Sequence, residues 1–260
     1  MRPQEHEKMY ELEDTYWWFV GRRDILRTIL RPLARGGKLR ILDVGCGTGA
    51  NLVLLSQYGA VTGADAYPAA LEFCRRRGFS DLRLCPVEQL DFPDESFDLV
   101  TAIELLEHLE DDVRGLRECF RVLRPGGRML ITVPAYQFLW SEHDEALDHY
   151  RRYSRRQLAQ RLRQAGFAIE RMTFCITFLL PLIVAFRLAQ RAVRAVAPKR
   201  GESKTALIQL PAPINRFFVW LLRIEAVLLR AINLPCGVTL VCVARKPAGA
   251  GEENGHSAGA

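Results

Sequence analysis

Residues 41–52 read Ile41-Leu-Asp-Val-Gly-Cys-Gly-Thr-Gly-Ala-Asn-Leu52, and this stretch decides the fold. An apolar run at 39–44 stopped by glycine is the mark of a buried parallel strand, and a helical pattern resumes at Ala50. Gly45, Gly47 and Gly49 let the connection tighten and let a ligand reach the main chain without meeting a Cβ. An ordinary strand–helix turn accounts poorly for three glycines at alternate positions with acids on both sides. Gly45, Gly47 and Ala50 also satisfy the loose dinucleotide fingerprint. Asp43 helps separate the two readings. A carboxylate at the strand end would repel a pyrophosphate but suits a cationic ligand with an ammonium group, and S-adenosylmethionine (SAM) is such a ligand. Asp65, closing the next apolar run, is placed to accept hydrogen bonds from ribose hydroxyls. It marks a ribose without saying whose.

Outward from this loop, strands are expected at 60–64, 81–85, 97–102 and 128–133, with helices at 50–58, 68–77 and 111–123 between them. Strands alternating with helices at this spacing mean βαβ units and a parallel sheet covered on both faces. A further helix at 154–164, capped by Ser154 and ended by Gly166, and strands at 167–173 and 237–244 complete the pattern. Residues 1–38 read as a helical cap, 39–173 as the core, 174–235 as an apolar and basic helical insertion, 236–246 as the last core strand, and 247–260 as a disordered tail.

With 49% apolar and 25% charged residues in a chain of 260, a disordered, collagen-like or polytopic membrane protein is excluded. Seven cysteines without any C-x-x-C argue against a disulfide framework or zinc site, and fit a reducing cytoplasm. The N-terminus opens on charges rather than an apolar segment, so no cleavable signal is expected.

Asp43-Val-Gly-Cys-Gly-Thr-Gly49, Asp65, Phe92-Pro-Asp-Glu-Ser-Phe-Asp-Leu-Val100, Glu104-Leu-Leu-Glu-His108 and Val122-Leu-Arg-Pro-Gly-Gly-Arg128 resemble the ordered motifs of class I SAM-dependent methyltransferases. Within these, the chain resembles the broad group that includes the quinone-biosynthesis methyltransferases. The resemblance covers residues 39–134, more weakly to 172 and in the final strand. It implies an α/β, Rossmann-like seven-stranded sheet, mostly parallel with the last strand antiparallel, here carrying an apolar helical insertion before that strand. It also implies SAM as cofactor, held by Asp43, Gly45, Gly47, Gly49, Asp65 and Ala102. Where the family often has an acid contacting adenine, this chain has Cys85-Pro-Val-Glu88, which leaves adenine to the backbone of Val87 and to Glu88.

Glu104, Glu107 and His108 are spaced i, i+3, i+4, so on a helical turn they share a face at the carboxyl end of a strand, where doubly wound folds bind ligands. They are candidate acid–base groups or ligands for Mg²⁺. The E-x-x-E-H is similar to the metal site of ubiquinone-pathway O-methyltransferases, although many relatives with similar letters need no metal. The loop 140–153 adds His149 as a candidate base, and Arg151 and Arg152 as candidate grips for a phosphate or carboxylate. Tyr16, Trp17, Trp18 and Phe19 are expected to form a lid or to pack a helix on the sheet, with Arg22 or Arg23 facing the cofactor carboxylate.

The insertion is short of a straight span in its uncharged part, residues 172–186. Arg187, Arg191 and Arg194 recur at helical spacing, and Arg216, Arg223 and Arg230 every seventh residue among Phe217, Phe218, Trp220 and Leu221. An apolar helix with a narrow arginine stripe suits an anionic lipid interface, and the other readings are a substrate lid or a dimer contact. Residues 187–230 hold nine Lys/Arg and two Asp/Glu, so of the net charge of +6 the rest of the chain carries −1. The basic charge therefore belongs to the insertion, which favours a membrane surface over nucleic acid. The expected activity is methyl transfer from SAM to a small hydrophobic or lipid-linked acceptor, at oxygen. RNA methylation and a non-catalytic SAM-binding subunit are the alternatives.

Overall fold

The structure, a computed structural model, describes residues 3–196 and 210–248. The break expected in the insertion from Pro198 to Pro213 lies outside the described residues as far as 209, as does the expected disordered tail beyond 248. The strands are β1 (Leu39–Val44), β2 (Gly59–Asp65), β3 (Leu82–Leu84), β4 (Phe97–Ile103), β5 (Leu123–Pro134), β6 (Ala168–Cys175) and β7 (Thr239–Arg245), and they form one sheet in the order β3-β2-β1-β4-β5-β7-β6. Neighbours from β3 to β5 run parallel, while β7 lies antiparallel between β5 and β6.

The helices are α1 (Pro3–Leu12), α2 (Trp17–Leu33), α3 (Ala50–Leu55), α4 (Pro68–Arg76), α5 (Asp112–Val122), α6 (Glu142–Ala146), α7 (Arg155–Gln164), α8 (Leu180–Val196) and α9 (Ala212–Leu228). Helix α3 stops short of the expected residue 58. The Leu39 amide takes the Tyr58 carbonyl at 3.1 Å, which draws the chain into sheet register before another helical turn can form.

Both sheet faces are covered, and the strands show it residue by residue, because successive side chains point to opposite faces. Leu42, Val100, Ile131 and Cys242 join one buried layer with Leu116 of α5 and Leu158 and Leu162 of α7. Their chain neighbours Ile41, Leu99, Leu130, Val241 and Val243 join the other, with Ile25, Leu26 and Ile29 of α2 and Leu222 and Ala226 of α9. The stretch 174–235, read as an insertion, thus supplies part of the second layer. One face of α9 is core.

The contact between α2 and α9 depends on Gly21. A Cβ there would stand 2.2 Å from Leu222 Cδ1 and 2.8 Å from Leu222 Cβ. Alanine in a helix interior gains about 1 kcal/mol over glycine, but overpacking costs about 1–3 kcal/mol. Gly21→Ala is therefore expected to destabilise despite its better propensity. In thermal unfolding, Gly21→Ala combined with Leu222→Ala should lose less than the two singles together. Simple additivity would refute the contact.

Candidate active site

A cavity of about 830 Å³ opens at the carboxyl ends of β1, β2, β4 and β5, where Val44, Ala64, Ile103 and Pro134 line it. In strand order, β1 and β4 are neighbours from which the sheet is built in opposite directions. Ligands of doubly wound sheets bind at such a switch point.

The glycine turn forms one end. Gly45 and Gly47 have φ of 66° and 54°, left-handed values that favour glycine, and a Cβ on Gly47 would meet nothing within 4 Å. The open space beside its main chain is the cradle that a close-lying ligand would fill. Asp65 lines this end and accepts from the Gly47 amide and the Tyr67 amide, both at 2.9 Å. Val87 and Glu88 lie on a short turn at its rim and also line it.

Asp43 stands just behind the wall, 1% exposed. Its Oδ1 accepts from Thr101 Oγ1 at 2.5 Å, while Oδ2 is buried without a partner. Burial, opposed by the Thr101 bond and reinforced by Asp65, pushes its pKa up to about 7. An acceptor waiting for a donor or a cation beside an open glycine cradle fits the ammonium-bearing cofactor. Besides Asp43, two further expected cofactor residues do not line the cavity. Gly49 faces Cys74 of α4, where a Cβ would stand 3.1 Å from Sγ, and Ala102 is buried between Val44 and Ile131. The alternation of side chains along β4 gives the wall to Ile103 instead, followed by Glu104.

The other end differs from the expected helical face of Glu104, Glu107 and His108. Glu104 has φ of 53°, which breaks any helix across it, and its carboxylate accepts from Thr132 Oγ1 at 2.8 Å. Only Leu106–His108 make a helical turn. The cluster that forms is Glu107, His108 and His149, whose ligand atoms lie within 4.8 Å of one another. Both Glu107 oxygens are buried and unpartnered, and burial, then Glu104, raises its pKa well above the carboxylate range. His108 packs edge-on to His149 with centroids 4.6 Å apart, and burial, then His149, lowers its pKa to about 3. Burial alone would raise Asp144, but bonds from His149 and Arg152 outweigh it and hold the carboxyl below its usual range. An ionised Asp144 can only accept, so His149 Nδ1 donates to it at 3.1 Å and Nε2 is left as the basic nitrogen. Two imidazoles and an unmet carboxylate, with Asp144 orienting one ring, also suit a divalent cation. This donor set is richer in nitrogen than Mg²⁺ prefers.

Arg152 lines the cavity and Arg151 does not, and both are engaged by the protein itself. Arg152 is spent on Asp144 at 2.7 Å and the Ala135 carbonyl at 3.2 Å, and Arg151 on Asp112 and the Glu110 carbonyl. Neighbouring Tyr153 is buried with its hydroxyl donating to Asp112 at 2.8 Å. These residues hold the loop in place.

The aromatic block both lines and packs. Tyr16, Trp17, Trp18 and Phe19 line the cavity, while Trp17 meets Phe218 of α9 edge-on at 5.2 Å. Arg22 and Arg23 line it too, Arg22 over the Phe19 ring at 5.6 Å with its Nε buried and unpartnered. Sequence reasoning missed Glu13, which is 4% exposed and accepts from Thr48 Oγ1 of the glycine turn and from Arg77 at 2.6 Å. It latches the N-terminal segment over the cofactor end. No periodicity marks one acid among the many in residues 4–14. Also missed was the wall from α8 and α9, with Leu182, Ile183, Phe186, Arg187, Ile214 and Phe218.

Residues 42–131 match the family model described as a methyltransferase domain. A Mycolicibacterium smegmatis protein named probable S-adenosylmethionine-dependent methyltransferase is 32% identical over 162 residues, 61% of this chain and 62% of that one. A Cereibacter sphaeroides phosphatidylethanolamine N-methyltransferase is 39% identical over 131 residues, 48% of this chain and 64% of that one. The chain thus spans just under two thirds of each of these relatives. The solved structure of a SAM-dependent methyltransferase from Archaeoglobus fulgidus superposes with a TM-score of 0.55 at 18% identity, covering 86% of this chain and 94% of that one. The chain thus carries a methyltransferase domain at residues 42–131, on a sheet and glycine turn that share the fold of solved class I methyltransferases.

Proposed function

We propose that the chain transfers a methyl group from SAM to an oxygen of a hydrophobic or lipid-linked acceptor at an anionic membrane surface. The observation that carries this is one continuous cavity with the glycine cradle at one end, the His149 cluster at the other, and apolar helices along its side. Bound at the cradle, SAM supplies an activated methyl group. The main chain at Gly45 and Gly47 would lie along it, Asp65 would accept from the ribose hydroxyls, Val87 and Glu88 would flank the adenine, and Asp43 would take the ammonium. Displacement at a sulfonium methyl is governed by positioning, so the acceptor atom must be held in line. A hydroxyl acceptor must also lose its proton, and His149 Nε2, oriented by Asp144, takes it. If Glu107, His108 and His149 instead held a divalent cation, His149 Nε2 would be a ligand rather than the base, and the cation would ease loss of the proton from an acceptor hydroxyl.

The membrane half of the proposal rests on α8 and α9. Phe217, Trp220 and Val227 of α9 and Leu182, Phe186 and Leu188 of α8 are exposed. Phe217 and Trp220 stack at 5.9 Å, and Trp220 and Val227 alternate along one row of α9 with exposed Arg216 and Arg223, with exposed Arg230 in the turn just beyond. Apolar rings beside guanidinium groups suit the boundary between headgroups and acyl chains. Among the described residues no helix is long and apolar enough to cross a membrane.

The test incubates the protein and methyl-labelled SAM with separated lipid, small-molecule and RNA fractions of the host. Label is expected in a lipid, on an ether or ester methyl. Label confined to RNA overturns the proposal, and label on an amino headgroup moves the reaction to nitrogen. In flotation, the protein should follow liposomes containing anionic lipid, and Phe217→Ser with Trp220→Ser should weaken partitioning by about tenfold or more. Equal flotation of the double variant would remove α9 from the membrane contact.

A further inference from the structure

Among the described side chains of α8, Arg187 is the one lining the cavity that carries a charge, and its chemistry is unfinished. Nη1 donates to Gln190 Oε1 at 3.2 Å, but Nε is shut off from solvent and has no partner. The other cations around it are already engaged by the protein. Arg152 is held by Asp144 and the Ala135 carbonyl, and Arg191 donates to the carbonyls of Phe138 and Trp140. Asp144 is the carboxylate whose charge reaches Arg187, yet its oxygens are occupied by Ser141, His149 and Arg152. Burial, then Arg152, lowers the Arg187 pKa, and its positive charge also helps to depress His143 to about 4 after burial. This corner of the cavity therefore holds excess positive charge and an unmet donor beside the His149 end. Partly buried guanidinium groups in such a state suit an oxyanion, to which they make charge-assisted bonds. Leu182, Ile183 and Phe186, from the same helix, line the wall next to it.

We propose that Arg187 anchors an oxyanion of the methyl acceptor, a phosphate or carboxylate attached to an apolar chain that runs along Leu182, Ile183 and Phe186. The proposal rests on the reading of the cavity as a shared cofactor and acceptor site, and it narrows the acceptor to an anionic amphiphile. Arg187, not the Arg151–Arg152 pair, supplies the charge.

The experiment titrates geranyl phosphate, geraniol and inorganic phosphate into protein saturated with S-adenosylhomocysteine (SAH), using calorimetry below any micellar concentration. Geranyl phosphate should bind at least about tenfold more tightly than geraniol, a difference of about 1.4 kcal/mol. Arg187→Gln should bring the two within about threefold by weakening geranyl phosphate alone, and Arg187→Lys should restore part of the gap. Inorganic phosphate should bind much more weakly than geranyl phosphate. If it binds as tightly, the site belongs to a free ion and the amphiphile is overturned. Equal binding of geranyl phosphate and geraniol by the unaltered protein overturns the anchor. Weaker SAH binding by Arg187→Gln, measured without the amphiphile, overturns it differently, by giving Arg187 to the cofactor. Failure of the unaltered protein to bind SAH refutes the cofactor reading itself and is seen before any amphiphile is added.

Discussion

Asp43→Asn should weaken SAM binding at pH 8 by about tenfold or more while making the ligand-free protein more stable. Both effects come from one buried carboxyl with an unpartnered oxygen and a pKa near 7. Hydrogen bonds to charged groups contribute about 1.5–3 kcal/mol, and an uncharged amide cannot pair with an ammonium in the same way. The pH dependence has a definite sign. Cofactor binding requires Asp43 ionised and so releases a proton below about pH 7. The affinity of the unaltered protein should therefore fall by up to about tenfold per pH unit below that point, and that of Asp43→Asn should stay nearly flat. Methylthioadenosine, which lacks the ammonium, should show little pH dependence with either protein. For stability, the folded-state pKa is raised, so this carboxyl's contribution is fully present below its unfolded value and is lost as pH rises through about 7. A shift of this size corresponds to at most about 4 kcal/mol. Asp43→Asn keeps an acceptor for Thr101 and removes the buried charge, so its ligand-free Tm should exceed that of the unaltered protein at pH 8 and match it at pH 4. Unchanged SAM affinity at pH 8 would remove Asp43 from the cofactor site.

The cofactor end was legible because its information is local. A strand, three glycines and an acid within ten residues specify a turn, and the sheet around them follows from alternating periods of two and 3.6. The acceptor end was less so, because its parts meet only through the fold. Glu104, Glu107 and His108 look like one helical face, yet the positive φ at Glu104 separates it from the other two. His149 joins them from forty residues away, through the return of the loop that the Tyr153–Asp112 bond secures. Arg151 and Arg152 look available in sequence, and nothing there shows that carboxylates and carbonyls consume them. Gly49 and Ala102 fail for a smaller reason. Each sits in the right motif, but which side of the chain it turns toward the cavity is set by backbone geometry that spacing alone does not reveal. The arginine-studded helices read as an appendage, whereas one face of α9 is core and one residue on it ties the helix to the turn after β6.

That residue is Glu225, fully buried on α9, and Glu225→Ala should cost about 3 kcal/mol or more. Its carboxylate accepts from three consecutive amides, those of Ile176, Thr177 and Phe178, the last two at 2.8 and 3.3 Å. Ile176 has φ of 61°, a conformation that a β-branched residue rarely adopts, and it stands where β6 ends and the chain turns toward α8. Removing the acceptor leaves one buried and two partly buried donors unmet, the buried one worth about 1–3 kcal/mol before relaxation, and frees a strained turn. At about 2–4 °C per kcal/mol for a chain of this size, Tm should fall by about 6–12 °C. Burial pushes the Glu225 pKa up against the pull of those amides, so the charge is not what the site needs most. Glu225→Gln, which keeps one acceptor oxygen, should lose clearly less than Glu225→Ala. Because the turn launches α8, the alanine variant should also weaken geranyl phosphate binding at temperatures where it is still folded, with SAH binding near normal. A Tm within 2 °C of the unaltered protein would show that Ile176 and α8 hold their places without α9. The helices that carry the exposed apolar face would then be independent of the sheet that binds the cofactor.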